Sequence, residues 1–203
     1  MPPSGPRKPP DKLPAYFYRL SPRAQRCYLA SDSATNYEFV PDKAVGKAVS
    51  ELMRVLESGK AAATEQAARK VVAETCRVAG VVPPTIDVRE VRPKNARGEL
   101  HGLFYPANPR KPSGPHIVLW MRTAERHDVV KPRTFVRTLM HELAHYFDYS
   151  VLKLEDSFHT RGFFSRESYL MRTTSPRREE PRETEGPAML RAWLDRHGGD
   201  SDR

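Results

Sequence analysis

Five consecutive residues, His141-Glu142-Leu143-Ala144-His145, constrain this chain more than any other stretch. Two His four positions apart share one face of a helix, one turn apart, and only a helix lets both rings reach one point. That is the geometry of a two-His zinc site with an adjacent general base. Glu142, one position on, points beside such a metal and can take a proton from a water held there. The flanks agree with a helix. Lys131-Pro132 is a suitable start, because Pro fits the first helical turn. Phe135, Leu139, Leu143 and Phe147 recur at i, i+4, i+8 and i+12, an apolar stripe that leaves His141 and His145 on a neighbouring face. The plainer reading is a pair of part-exposed helical His. The Glu between them and a further His downstream weigh against it.

A catalytic zinc takes three protein ligands and keeps one position open. His159, in Asp156-Ser157-Phe158-His159-Thr160-Arg161-Gly162-Phe163-Phe164, is the best third ligand. Glu155, Asp156 and Glu167 compete, since a carboxylate fills the same role.

The HELAH segment, a His after a longer gap, Phe163 four residues past that His, and a following helix with Arg166 and Leu170 together resemble the SprT-like (Spartan-type) zinc metalloproteases of the zincin HExxH superfamily. The resemblance covers about residues 85–172. It implies an α+β, zincin-like fold, in which a small three-stranded sheet packs on the active-site helix. It also implies one zinc per chain on His141, His145 and His159, with Glu142 catalytic. Metzincins are less similar, because they need Gly and His soon after the second His, where this chain has Tyr146-Phe147-Asp148-Tyr149. Regulatory proteases of the ImmA/IrrE type carry similar helices, so the subfamily stays open. SprT-like proteins often add a Cys-rich zinc ribbon, and this sequence has none.

Composition sets bounds on partners and compartment. Lys and Arg number 34 against 25 Asp and Glu, a net charge of +9. The excess is concentrated ahead of the motif: residues 85–140 hold 11 Lys and Arg and 5 Asp and Glu. Nucleic acid is therefore an admissible partner beside a protein or peptide substrate, and a solvated basic face explains the same charge. Cys27 and Cys76 are too few for a disulfide framework or a CxxC site, and read as small core residues in a reducing compartment. The N-terminus lacks an apolar signal region, and no stretch approaches the roughly 18 apolar residues of a membrane span. The expectation is a cytoplasmic protein with no membrane partner.

Along the chain, residues 1–14 are Pro-rich and read as a disordered arm. Residues 15–80 read as a helical N-terminal part. Ser21-Pro22 opens a short helix to about Ala30. Its flanking stretch, Tyr16 to Tyr28, mixes aromatics with Arg, which serves to anchor a helix on the core more simply than to stack on bases. Asp42 to Ser58 forms an amphipathic helix with Val45, Val49, Leu52, Met53 and Leu56 on one face. Thr64 reads as the N-cap of the next helix, which buries Val71, Val72, Thr75 and Ala79 and stops at Gly80. Residues 81–172 form the metalloprotease core. Ile86 and Val88 begin a strand, residues 91–98 turn, Leu100 to Tyr105 is a second strand and His116 to Met121 a third. Residues 173–186 read as a flexible linker, and 187–203 as a short helix and tail.

The function expected is zinc-dependent peptide-bond hydrolysis by an endopeptidase. The alternative is a non-proteolytic, zinc-containing factor that binds nucleic acid or protein. Tyr169, Arg166 and Tyr146 are candidates for a second oxyanion donor, and Asp148, one turn after His145, for orienting a ligand. The third strand, His116 to Met121, with Arg122 close behind, is expected at the sheet edge, where an extended substrate adds as a further strand.

Overall fold

The computed structural model describes residues 13–95, 98–108 and 114–174. The arm over residues 1–12, most of the linker and the whole C-terminal helix expectation lie outside the described residues. Within them the fold is α+β, with five α-helices and a three-stranded mixed sheet.

Helix α1 (Pro22–Ser33) starts where Pro follows a capping Ser: the Ala24 N–H donates to Ser21 Oγ at 3.3 Å. The aromatics of this stretch do anchor it, since Phe17 before the helix and Tyr28 within it are buried with their rings 5.2 Å apart, while Tyr16 and Tyr18 stay exposed. Helix α2 (Lys43–Leu56) is capped by Asp42, whose Oδ1 accepts from Ala44 and Val45 N–H. It buries Val45, Val49, Leu52 and Leu56. Helix α3 (Ala61–Ala79) begins one turn before the expected cap. Thr64 lies inside it, buried, with its hydroxyl turned back to the Lys60 carbonyl at 2.9 Å, so the residue that resembled a cap is a helical Thr bonding i−4. Gly80, at φ 69°, ends α3 in the left-handed conformation that glycine adopts without a Cβ penalty.

The sheet follows. Strands β1 (Thr85–Val91), β4 (Gly102–Tyr105) and β5 (His116–Arg122) run in the order β1-β5-β4, with β1 parallel and β4 antiparallel to β5. The expected turn over residues 91–98 carries a two-stranded ladder, β2 (Lys94–Asn95) with β3 (Gly98–Glu99). The expectation of β5 at the edge is wrong: it is the central strand. Residues Ile117 to Met121 are buried without a break, which is the mark of a strand covered on both faces and paired on both sides. Their continuous apolar run carried that signal, and the short length of the strand with Arg122 close behind concealed it. The exposed edge beside the HELAH helix belongs to β4.

Helix α4 (Pro132–Ser150) lies under β4 and β5 and packs on α2 and on α5 (Arg161–Thr174), while α3 covers β1. The apolar stripe points into this core: Phe135, Leu139, Leu143 and Phe147 are buried. No helix among the described residues is long and apolar enough to cross a membrane.

Candidate metal centre

The fold turns three imidazoles toward one point. His141 and His145 project from α4, and His159 from the loop that leads into α5. His159 Nε2 lies 3.1 Å from His141 Nε2 and 3.0 Å from His145 Nε2. Four nitrogens at about 2.0 Å around a tetrahedral ion stand roughly 3.3 Å apart, so these separations fit a shared cation.

Hydrogen bonding on the far side of each ring decides what the near side offers. His141 Nδ1 is 3.1 Å from Glu167 Oε2, and Arg137 Nε donates to Glu167 Oε1 at 3.0 Å. Burial opposes ionisation of Glu167, but the His141 and Arg137 hydrogen bonds outweigh it and hold the carboxyl below its ordinary range. An ionised Glu167 only accepts, so His141 donates from Nδ1 and leaves Nε2 as a bare lone pair.

His145 is set through a relay. Its Nδ1 is 2.7 Å from Ser157 Oγ, and Ser157 Oγ donates to Asp148 Oδ2 at 2.7 Å. Arg166 Nε and Nη2 donate to Asp148 at 3.0 and 2.9 Å, and the Tyr37 hydroxyl is shared between the Ala144 carbonyl at 3.1 Å and Asp148 Oδ1 at 3.4 Å. Burial pushes the Asp148 carboxyl up, against the pull of Arg166, Ser157 and Tyr37. A carboxyl met by a guanidinium and two hydroxyl donors is an ionised one. Ser157 therefore spends its one proton on Asp148, accepts from His145 Nδ1, and leaves His145 Nε2 bare as well. Burial and the neighbouring His141 and His159 lower the His145 pKa to about 3, and burial and His141 lower that of His159. Three imidazole nitrogens gathered this closely are the donor set of a nitrogen-coordinated cation. The residues present thus fit a metal ion.

Helix α5 holds the third imidazole, His159, in place. Thr160 Oγ1 caps it by accepting from Phe163 N–H at 3.0 Å, and Asp32 Oδ1 accepts from Arg161 N–H at 3.1 Å. A Cβ on Gly162 would strike the Ser31 carbonyl and lie 2.6 Å from that of Asp32, so only glycine lets α5 approach the end of α1 this closely. The next residue, Phe163, is fully buried, its ring centroid 5.0, 4.5 and 5.0 Å from those of His141, His145 and His159. It is a platform for all three rings.

Glu142 points the other way, into the groove under β4. The Phe104 backbone N–H bonds its carboxylate, and a Cβ on Gly102 would lie 2.7 Å from its Oε1. Gly102 thus makes room for the carboxylate against the strand. Burial raises the Glu142 carboxyl to about 7, with His141 and the Phe104 N–H opposing. Burial and neighbours commonly tune a carboxylate into this range for proton transfer.

Of the residues expected here, His141, His145, His159 and Glu142 come together, lining an open cleft of about 490 Å³ with Gly102, Leu103, His101 and Arg137. The rival ligands lie apart. Glu155 is paired with Arg23, Asp156 accepts from the Tyr149 hydroxyl at 3.2 Å, and Glu167 stands behind His141. Asp148 orients His145, through Ser157. The three expected oxyanion donors do not face the cleft. Tyr169 Oη donates to the Phe39 carbonyl at 2.6 Å, Tyr146 Oη to that of Val82, and Arg166 is wholly buried on Asp148 and α1. Their spacing along the helices placed them near the motif, but their faces turn inward. Donors that do line the cleft are His101, Arg137, Thr134 and Thr138. Ser157, Gly102 and Phe163 are positioning residues to which the sequence assigned no role.

Compared with protein-family models, with curated proteins and with solved structures, the chain matches none.

Proposed function

We propose that this protein is a zinc-dependent endopeptidase of SprT-like, zincin type. The observation that carries this reading is the convergence of three imidazole nitrogens beside a buried Glu142, in a cleft next to a strand at the end of the sheet. A zinc ion held by His141, His145 and His159 would supply Lewis acidity, polarising the scissile carbonyl and lowering the pKa of a water to about 7. The remaining steps fall to the chain. Glu142, fixed by β4, takes the proton of the attacking water and passes it to the leaving amine. Strand β4 has a strand neighbour on one side only, so an extended peptide adds along its other edge through backbone hydrogen bonds, beside the Phe104 N–H that faces Glu142 and with little demand on side chains. This moves the substrate strand from β5, where the sequence placed it, to β4.

The test is Glu142→Gln. Glutamine cannot accept the proton, so the variant keeps zinc and fold but loses cleavage of an unfolded protein such as casein that the wild type cleaves. Equal cleavage by both removes Glu142 from the reaction. A zinc-loaded wild type that leaves unfolded and DNA-bound proteins intact makes the chain a zinc-containing binding factor instead.

A further inference from the structure

The cleft does not end at the His cluster. It runs along α4 toward that helix's N-terminus, where Thr134, Arg137 and Thr138 line it, with Leu100 and His101 also on its wall. Arg137 stands one turn before His141, about 6 Å along the axis. An extended peptide covers that distance in about two residues.

The guanidinium is tethered by one atom. Arg137 Nε donates to Glu167 Oε1 at 3.0 Å, and Glu167 in turn accepts from His141 Nδ1. One carboxylate therefore fixes the cation relative to a ring of the metal centre. The two Nη groups have no hydrogen-bond partner among the described residues, and the side chain is 68% exposed. Of the other acidic residues along the cleft, Glu142 is buried against β4 and Glu99 and Glu167 are engaged. Glu99 accepts from Arg92 Nη1 at 3.3 Å and from Ala124 N–H at 3.3 Å, and Glu167 is buried between Arg137 and His141. Among the lining residues Arg137 is the one Lys or Arg. A planar guanidinium held by Nε presents its Nη edge as a fork for a carboxylate, with its orientation already fixed.

We infer that Arg137 is a specificity-determining residue that reads a carboxylate on the bound peptide within about two residues of the scissile bond. The carboxylate is an Asp or Glu side chain or a free C-terminus. The cleft then selects acidic segments or chain ends, while the β4 edge supplies sequence-independent affinity. This rests on the peptidase reading.

The experiment uses the full chain loaded with zinc, as Glu142→Gln for binding and as wild type for cleavage. The probes are labelled peptides of one sequence in which a single Gln is exchanged for Glu at each of four successive positions, each made with a free and an amidated C-terminus. Fluorescence anisotropy should show one Glu position, or the free C-terminus, binding about 10- to 100-fold tighter than its neutral counterpart. The Glu series and the free-acid series tell the two carboxylate sources apart. Adding Arg137→Gln should bring the ratio to one, and Arg137→Lys should keep part of it. If Arg137→Gln loses zinc, Thr134→Glu decides, because a carboxylate three residues back on the helix occupies the Nη groups and leaves the Glu167 bond in place. Equal binding of acidic and neutral peptides, or a preference that survives both variants, overturns the inference. Cleavage without acid preference sinks it and leaves the peptidase standing. An acid preference without any cleavage by the wild type does the reverse, and neither binding nor cleavage removes both.

Discussion

Two helical seams in this molecule are built on opposite principles. The α2–α3 seam is apolar: Val45, Val49, Leu52 and Leu56 meet Ala68, Val71, Val72 and Cys76, all buried. The seam among α1, α4 and α5 is polar and equally dry. Arg166, fully buried, donates to Asp148, to Ser31 Oγ and to the carbonyls of Ser31 and Ala34. Asp148 continues through Ser157 to His145, and Ser31 Oγ lies 3.1 Å from Thr160 Oγ1 at the cap of α5. The first seam supplies non-directional stability, which many side chains of similar volume provide. The second fixes angles. Each polar atom has a partner, so the rings it supports stand in one orientation, as a metal centre requires.

The comparison breaks most visibly at Arg166. Arg166→Met leaves Asp148 buried with no counter-charge, and the expected loss is about 3–5 kcal/mol of unfolding free energy by urea denaturation, together with metal affinity. A loss under about 1 kcal/mol means that the polar seam is not the clamp described here. Next is Leu52→Ala in the apolar seam, expected to cost about 2–5 kcal/mol through lost burial and a cavity. Here zinc affinity, measured under conditions where the variant stays folded, should not change. A coupled fall in affinity erases the distinction between the seams. The smallest stability effect belongs to Ser157→Ala, which cuts the relay to His145 at a half-buried hydroxyl. Chelator competition should report zinc affinity lower by about 10- to 100-fold, with Ser157→Thr restoring part of it. Unchanged affinity in Ser157→Ala removes the relay from the site.

The same contrast explains what the sequence discloses. The apolar seam is written in periodicity: residues 42–58 read as a helix because Val45, Val49, Leu52 and Leu56 keep the helical repeat, and Asp42 and Gly80 punctuate it by rules of one side chain and one backbone angle. The HELAH ligands are legible for a similar reason, since i and i+4 on a helix fix a distance. His159 was found by asking which side chain nearby could complete a two-His metal site. The polar seam has no such signature. Arg166 and Asp148 are residue types that ordinarily face water, they are 18 positions apart, and nothing local marks them as partners. Gly102 reads as one residue of a strand and Gly162 carries no signal of its own, because close approach of another element is invisible without the tertiary fold. Tyr146, Tyr169 and Arg166 were placed near the chemistry by helical spacing, yet each is committed to a carbonyl or carboxylate inside the core. Strand β5 was put at the edge because it is short and Arg122 follows it closely, and the unbroken run Ile117 to Met121 told of a central place.

His141, His145 and His159 bring three imidazole nitrogens to one point, where they could hold a single metal ion. The most direct test of that site is native mass spectrometry of the full-length protein, expressed with zinc, as wild type and as His159→Ala. The account predicts about one zinc per wild-type chain and its loss from most His159→Ala chains, with the circular dichroism of the helices retained. A wild type without bound metal, or a His159→Ala variant that keeps its zinc in full, would contradict it.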